Sequence, residues 1–133
     1  TLRRAPMIKH LYTFAALSGF CSVACGAFGS HALSDILEPR LLAVFKTGVQ
    51  YQMFHSLALL ATLLVMEFRG QNLQLRLSCY SFAAGIIFFS GSLYLLALTG
   101  LNWFGPVTPF GGLLLLLAWV LLAVGIWQAS SAD

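Results

Sequence analysis

The 133-residue chain has seven basic and four acidic side chains, a formal net charge of +3, and a hydrophobic content of 59%. Only 8% of the residues are charged, against about 25% in an ordinary soluble domain, which excludes a water-facing globule. The seven cations are spread between Arg3 and Arg76 and form no patch that could follow a phosphate backbone, so nucleic-acid binding is excluded as well.

Uncharged stretches divide the chain into segments of membrane length. Asp, Glu, Lys and Arg are absent from 10–34, 47–66 and 77–132, and a helix needs about 20 apolar residues to cross a bilayer core of about 30 Å. The last stretch is long enough for two crossings and a turn. The sequence therefore predicts one all-α domain over 1–133, a bundle of four transmembrane helices near 10–33, 41–67, 76–99 and 109–128.

The first 30 residues have an alternative interpretation as a secretory signal peptide. They combine a basic start, an apolar stretch and small residues around Cys25. Since the chain runs unbroken from Thr1, we expect this segment to be retained as the first span.

The distribution of Lys and Arg predicts the orientation of the bundle. Five of these residues lie on the side of the termini and of the turn between the second and third spans, and two lie on the opposite side. The positive-inside rule therefore predicts that both termini are cytoplasmic. The five are Arg3, Arg4, Lys9, Arg69 and Arg76, and the two are Arg40 and Lys46.

Small residues recur at every fourth position of the first span, at Ser18, Ser22, Gly26 and Ser30. This spacing places them on one helical face, where small side chains let another helix approach closely. The row fits packing inside the bundle, and it also fits an interface with a second copy or a larger membrane complex. The neighbouring cysteines have no second Cys or His pair at ligand spacing, so we predict no metal site.

Polar residues of three spans fall at similar depth in the half of the bundle away from the termini. Because unpaired polar groups are costly in hydrocarbon, we expect these side chains to face inward and to bond to one another. The residues are His31 in the first span, Gln50, Tyr51, Gln52 and His55 in the second, and Ser90, Ser92 and Tyr94 in the third.

Such a cluster has two main interpretations. It can fix the register of the helices, or it can form a pocket for a small molecule, a lipid headgroup or an ion. A proton relay is disfavoured because no intramembrane Asp or Glu accompanies the histidines, and a haem between His31 and His55 has no other support, so we predict no cofactor. No nucleophile–base arrangement, glycine-rich phosphate loop or metalloprotease motif is present, which disfavours an enzyme.

Three segments resemble the motifs of the YgdD/YwdK-like family of small bacterial membrane proteins, domain of unknown function four-two-three. They are GAFGSHAL at 26–33, TGVQYQMFHSLALL at 47–60, and SGSLYLLALTG at 90–100 followed by PVTPFGG at 106–112. Ser30 and Ser56 stand where the motifs usually have Ala. The resemblance covers nearly the whole chain and implies a four-span inner-membrane protein with signature positions at His31, 50–52 and His55. It implies no reaction.

The sequence thus predicts a non-enzymatic, structural or accessory protein of the lipid bilayer. We expect it to form a homo-oligomer or to pack on a larger membrane complex. The alternative is a binding or transport module for a small molecule, lipid or ion, built on the polar cluster around His31 and His55.

Overall fold

The computed structural model describes residues 6–131, and the side chains of 8–130. Over that range every regular element is helical. Arg3 and Arg4, on which part of the predicted orientation depends, lie outside the described residues.

Four helical stretches are long and apolar enough to cross a membrane, which confirms the predicted fold class. They are referred to below as the first to fourth spans. They comprise Ile8–Leu33, Pro39–Arg69, Leu73–Thr99 and Asn102–Ser130.

The second span is one continuous α-helix, Pro39–Arg69, whereas the other three are composite. A π-helical turn interrupts the first and third spans, and a short 3₁₀ turn precedes the fourth. The extra residue of a π turn locally widens a helix, and such turns occur often at functional sites. The first span consists of Pro6–Ala24, the π turn Cys25–Gly29 and Ser30–Leu33. The third consists of Leu73–Gly85, the π turn Ile86–Ser90 and Gly91–Thr99. The fourth consists of the 3₁₀ turn Asn102–Phe104 and the α-helix Val107–Ser131.

Glycine and asparagine set the ends of the central helices. Gly70 and Gly100 follow the second and third spans with φ of +91° and +72°, values that a residue without a Cβ adopts readily. Asn72 caps the third span, since its Oδ1 accepts a hydrogen bond from the Leu75 N–H at 2.9 Å. The Asn72 amide also donates to the Gly125 carbonyl at 3.0 Å, which ties this turn to the fourth span.

The second and third spans form the centre of the bundle. The first span packs mainly on the second, and the fourth packs mainly on the third. All four contribute to one apolar core, with Ala15, Leu59, Phe82 and Ala118 fully buried. The far end of the bundle is defined below as the end that holds 34–38 and 100–106.

The third and fourth spans approach to backbone contact. A Cβ at Gly111 would overlap the backbone of Phe89, whereas a Cβ at the adjacent Gly112 would make ordinary contacts of 3.7 Å with the Phe89 ring. Gly111 is therefore the position that allows this close approach, as small residues do between membrane helices.

Candidate functional site

The side chain of Gln52 joins three spans. Its Nε2 donates to the carbonyl oxygen and to the Oγ of Ser18, both at 3.2 Å, in the first span. Its Oε1 accepts a hydrogen bond of 2.5 Å from the Tyr94 hydroxyl in the third span. Gln52 is buried, so both halves of its amide are satisfied inside the bundle, as a membrane interior requires.

Two further serines complete this group. Ser56 Oγ lies 2.7 Å from Ser18 Oγ and 2.6 Å from the Gln52 carbonyl oxygen. Ser22 Oγ donates to the Ser18 carbonyl at 2.9 Å. The Gln52 cluster, as we call it, consists of Ser18, Ser22, Gln52, Ser56 and Tyr94.

His55 belongs to a separate pair one turn further along the second span. Its Nδ1 lies 2.7 Å from the Tyr51 carbonyl oxygen, and the indole N–H of Trp119 in the fourth span donates to its Nε2 at 3.1 Å. Because an indole nitrogen only donates, Nε2 is the acceptor and the proton is on Nδ1, which donates to Tyr51. The imidazole is buried, with Phe82 and Trp119 rings each 5.9 Å from its centroid. Both ring nitrogens are engaged within the chain.

Three serines of the third span make the remaining links between spans. Ser90 Oγ donates to the Gly48 carbonyl at 2.8 Å, and Ser78 Oγ donates to the Ala118 carbonyl at 2.7 Å. Ser92 Oγ lies 2.6 Å from Thr108 Oγ1. Hydrogen bonds therefore join the second span to the first, third and fourth, and the third span to the fourth.

The structure divides the polar residues singled out in the sequence. Gln52 and Tyr94 lie together, whereas His55 and Ser92 each pair with the fourth span. Gln50 is exposed, because two residues along a helix turn the side chain by about 200° from Gln52. Tyr51 contributes its carbonyl to His55, while its partly exposed ring packs against those of His55 and Phe89 at 5.7 and 4.7 Å.

His31 is not brought to His55 or Gln52. It is exposed at the far end and lines a different cavity, the end groove, between the end of the first span and the beginning of the second. The groove has a volume of about 480 Å³. Its lining residues are Gly26, Ala27, Ser30, His31, Ser34, Lys46 and Val49.

The small-residue row of the first span packs within the chain. Ser18 and Ser22 are buried in the Gln52 cluster, and a Cβ at Gly26 would lie 3.1 Å from Val49 Cγ1 of the second span. Ser30 is partly exposed at the wall of the end groove. Ser18 and Gly26 of the row thus contact the second span, whereas Ser22 and Ser30 bond to carbonyls of the first span itself.

A second cavity, the lateral cleft, lies between the first and third spans. Its volume is about 360 Å³. Apolar side chains line most of it, and Gln52, Ser18 and Tyr94 lie at its base. The lining residues are Phe14, Leu17, Ser18, Cys21, Gln52, Ile86, Ile87, Ser90, Gly91 and Tyr94.

Sequence reasoning missed the partners Trp119, Thr108 and Ser56. Trp119 had a usable signal: it lies in the middle of a span, and an indole N–H inside hydrocarbon needs an acceptor. Trp103 and Trp127 lie near span ends, where an indole reaches the interface. The other two partners depend on how the helices are rotated against one another. The sequence pattern of one span does not give that rotation.

Comparisons with known proteins agree with the membrane architecture. The family model for proteins of unknown function DUF423 matches residues 25–112. A UPF0382 membrane protein of Haemophilus influenzae is 47% identical over 125 residues, which cover 93% of this chain and 99% of the relative. The UPF0382 inner membrane protein YgdD of Escherichia coli K12 is 42% identical over 88% of each chain.

Relatives of lower identity come from other bacteria. A UPF0382 membrane protein of Staphylococcus saprophyticus is 37% identical over 91% of this chain and 99% of the relative. No solved structure matches. Four membrane-length helices and relatives named as inner membrane proteins identify the chain as a multi-pass protein of the bacterial inner membrane.

Proposed function

Because the chain belongs to the DUF423 family, whose name records no activity, we propose that it is a non-enzymatic structural or accessory protein that associates with a second copy of itself in the membrane. The observation that supports a non-enzymatic role is the hydrogen bonding of the Gln52 and His55 side chains. Their side-chain nitrogen and oxygen atoms all bond to groups of the same chain.

Acid–base or nucleophilic catalysis needs a group that can meet a substrate. His55 is buried, and its ring bonds to a backbone carbonyl on one side and to Trp119 on the other. Gln52 forms hydrogen bonds with Ser18, Ser56 and Tyr94. Hydrogen bonds between membrane helices contribute about 0.6 kcal/mol each on average, so the same contacts suit a role in fixing how the spans pack.

The lateral cleft is the surface that favours association with a second copy. The first span packs on the second span and leaves Leu17 60% and Phe20 71% exposed beside the cleft. A volume of about 360 Å³ admits one or two large side chains of a neighbouring helix. A Cβ at Gly91 would meet no heavy atom within 4 Å, so the wall of the cleft at the third span has room for a side chain of another helix. Close packing of this kind drives helix association in lipid.

A second candidate function is the binding of a neutral, membrane-soluble molecule in the same cleft. The observation that favours it is the polar base beneath apolar walls. The Tyr94 hydroxyl donates its proton to Gln52 and keeps lone pairs that can accept a hydrogen bond. A ligand with a hydroxyl group and an apolar tail would match this arrangement.

One substitution separates the two candidates. Gly91→Leu fills the cleft, and Gly19→Leu is its matched control, because a Cβ at Gly19 also meets no heavy atom within 4 Å and Gly19 does not line the cleft. The full chain is extracted in polymer-bounded native membrane discs. Native mass spectrometry then gives the mass of the assembly and of any bound small molecule.

Self-association predicts a dimer or larger assembly for the wild type and Gly19→Leu, and a single chain for Gly91→Leu. Ligand binding predicts an added small-molecule mass that only Gly91→Leu loses. A single chain in all three samples contradicts self-association. The absence of any bound molecule from the wild type contradicts the second candidate.

A further inference from the structure

The Lys46 ammonium gives the end groove a positive charge that no ion pair among the described residues neutralises. Lys46 and His31 line it, and neither side chain has a hydrogen-bond or ion-pair partner among residues 6–131. The segment between the first and second spans holds two carboxylates, Asp35 and Glu38. Glu38 is paired with Arg40 at 3.2 Å, and neither carboxylate lines the groove. The groove is therefore suited to an anion.

Lys46 lies at the depth where lipid phosphates are found. The uncharged stretch that follows it, 47–66, has the length of about 20 residues that crosses a bilayer core of about 30 Å. Its first residue thus marks the edge of the hydrocarbon, and Lys46 comes just before it. A lysine in this position extends its ammonium group into the headgroup layer.

The inner part of the groove is apolar. Gly26, Ala27 and Val49 line it on the hydrocarbon side of Lys46. Gly26 belongs to the π-helical turn Cys25–Gly29. Because it has no side chain, the first span projects little into the groove where the first and second spans meet. The groove therefore combines a cationic entrance with an apolar floor, the two parts that a phospholipid needs.

We propose that the end groove binds an anionic phospholipid. The Lys46 ammonium and an N–H of the His31 imidazole contact the phosphate, and one acyl chain lies along Gly26 and Val49. Charge-assisted hydrogen bonds from nitrogen to phosphate are the strong contacts of such a site. The site is separate from the lateral cleft and does not depend on self-association.

The test uses the purified full chain and dioleoyl phosphatidylglycerol, with binding followed by native mass spectrometry. Lys46→Gln removes the charge, Lys46→Arg keeps it, and Arg40→Gln removes an equal charge outside the groove. His31→Gln tests the second contact. We expect the wild type, Lys46→Arg and Arg40→Gln to bind alike, and Lys46→Gln to bind about tenfold more weakly, the factor that corresponds to 1.4 kcal/mol.

Several results would overturn the proposal. Unchanged binding by Lys46→Gln and His31→Gln would exclude the groove, and an equal loss in Arg40→Gln would indicate general surface attraction. Equal binding of dioleoyl phosphatidylethanolamine would remove the preference for an anionic lipid. Glycerol 3-phosphate provides the soluble headgroup alone: binding as tight as that of the lipid would assign the site to a free phosphate. Since Gly91 is not involved, failure here leaves the self-association test unaffected.

Discussion

The indole N–H of Trp119 donates to Nε2 of His55 at 3.1 Å, from the fourth span to the second. The contact fixes the tautomer of the histidine and provides the indole with its acceptor. Removing Trp119 leaves Nε2 of the buried His55 without its donor, and removing His55 leaves the indole N–H without its acceptor. The pair therefore couples the packing of the second and fourth spans to the tautomer of His55.

A double-mutant cycle on this pair measures the connection. We expect His55→Leu and Trp119→Phe each to destabilise the protein, and the double variant to lose less than the sum. The coupling should be about 0.6 kcal/mol and no more than about 1.7 kcal/mol, the average and the maximum for hydrogen bonds between membrane helices. Equilibrium unfolding in mixed micelles gives the free energies, and strictly additive effects would mean that the hydrogen bond does not form.

Two tyrosines form a matched test of the Gln52 cluster. Tyr94→Phe removes the donor to Gln52 Oε1 and leaves that oxygen unsatisfied, so we expect a loss of about 1–3 kcal/mol of unfolding free energy. Tyr12→Phe should cost nothing, because the Tyr12 hydroxyl is buried without a hydrogen-bond partner in the described part of the chain. Equal losses from the two variants, measured by the same unfolding method, would contradict the assigned hydrogen bond.

Adjacent glycines test the contact between the third and fourth spans. Gly111→Ala forces the backbones apart near Phe89, and overpacking of this kind costs about 1–3 kcal/mol. Gly112→Ala adds the same atom where there is room and should leave stability unchanged or slightly higher, since Ala favours a helix more than Gly does. Thermal unfolding in detergent compares them, and similar midpoints would rule out the close approach.

Reporter fusions test the orientation predicted by the distribution of Lys and Arg. With both termini in the cytoplasm, green fluorescent protein joined to the C-terminus should fluoresce, and alkaline phosphatase joined there should be inactive. Fusions within 34–38 should give the opposite pattern, because one span separates this segment from the N-terminus. An active phosphatase at the C-terminus would reverse the orientation.

Much of the fold was predictable because bilayer thickness sets the length of uncharged stretches. That constraint gave the number and type of helices, which the structure confirms. It contains nothing about the rotation of one helix against another. For this reason His31 and His55, at similar depth in the sequence, lie at different sites, and the pairing of His55 with Trp119 was not predicted.

The π-helical turns were also beyond prediction. They comprise Cys25–Gly29 and Ile86–Ser90, and Ser90 in the second of them donates a hydrogen bond to the Gly48 carbonyl of the second span. The hydrophobic pattern of a helix is read over several turns, so it does not reveal one extra residue in a single turn. The two cavities border these turns, so their positions could not be foreseen either.

The side chains of Gln52 and His55 bond to groups of the same chain, so they are not free to act on a substrate. Nitrogen-15 NMR of the labelled protein in lipid nanodiscs tests this claim directly, through the scalar coupling across the hydrogen bond between Trp119 Nε1 and His55 Nε2. We predict a resolved coupling and an unprotonated Nε2. A protonated Nε2 with no coupling to the Trp119 indole would contradict the claim.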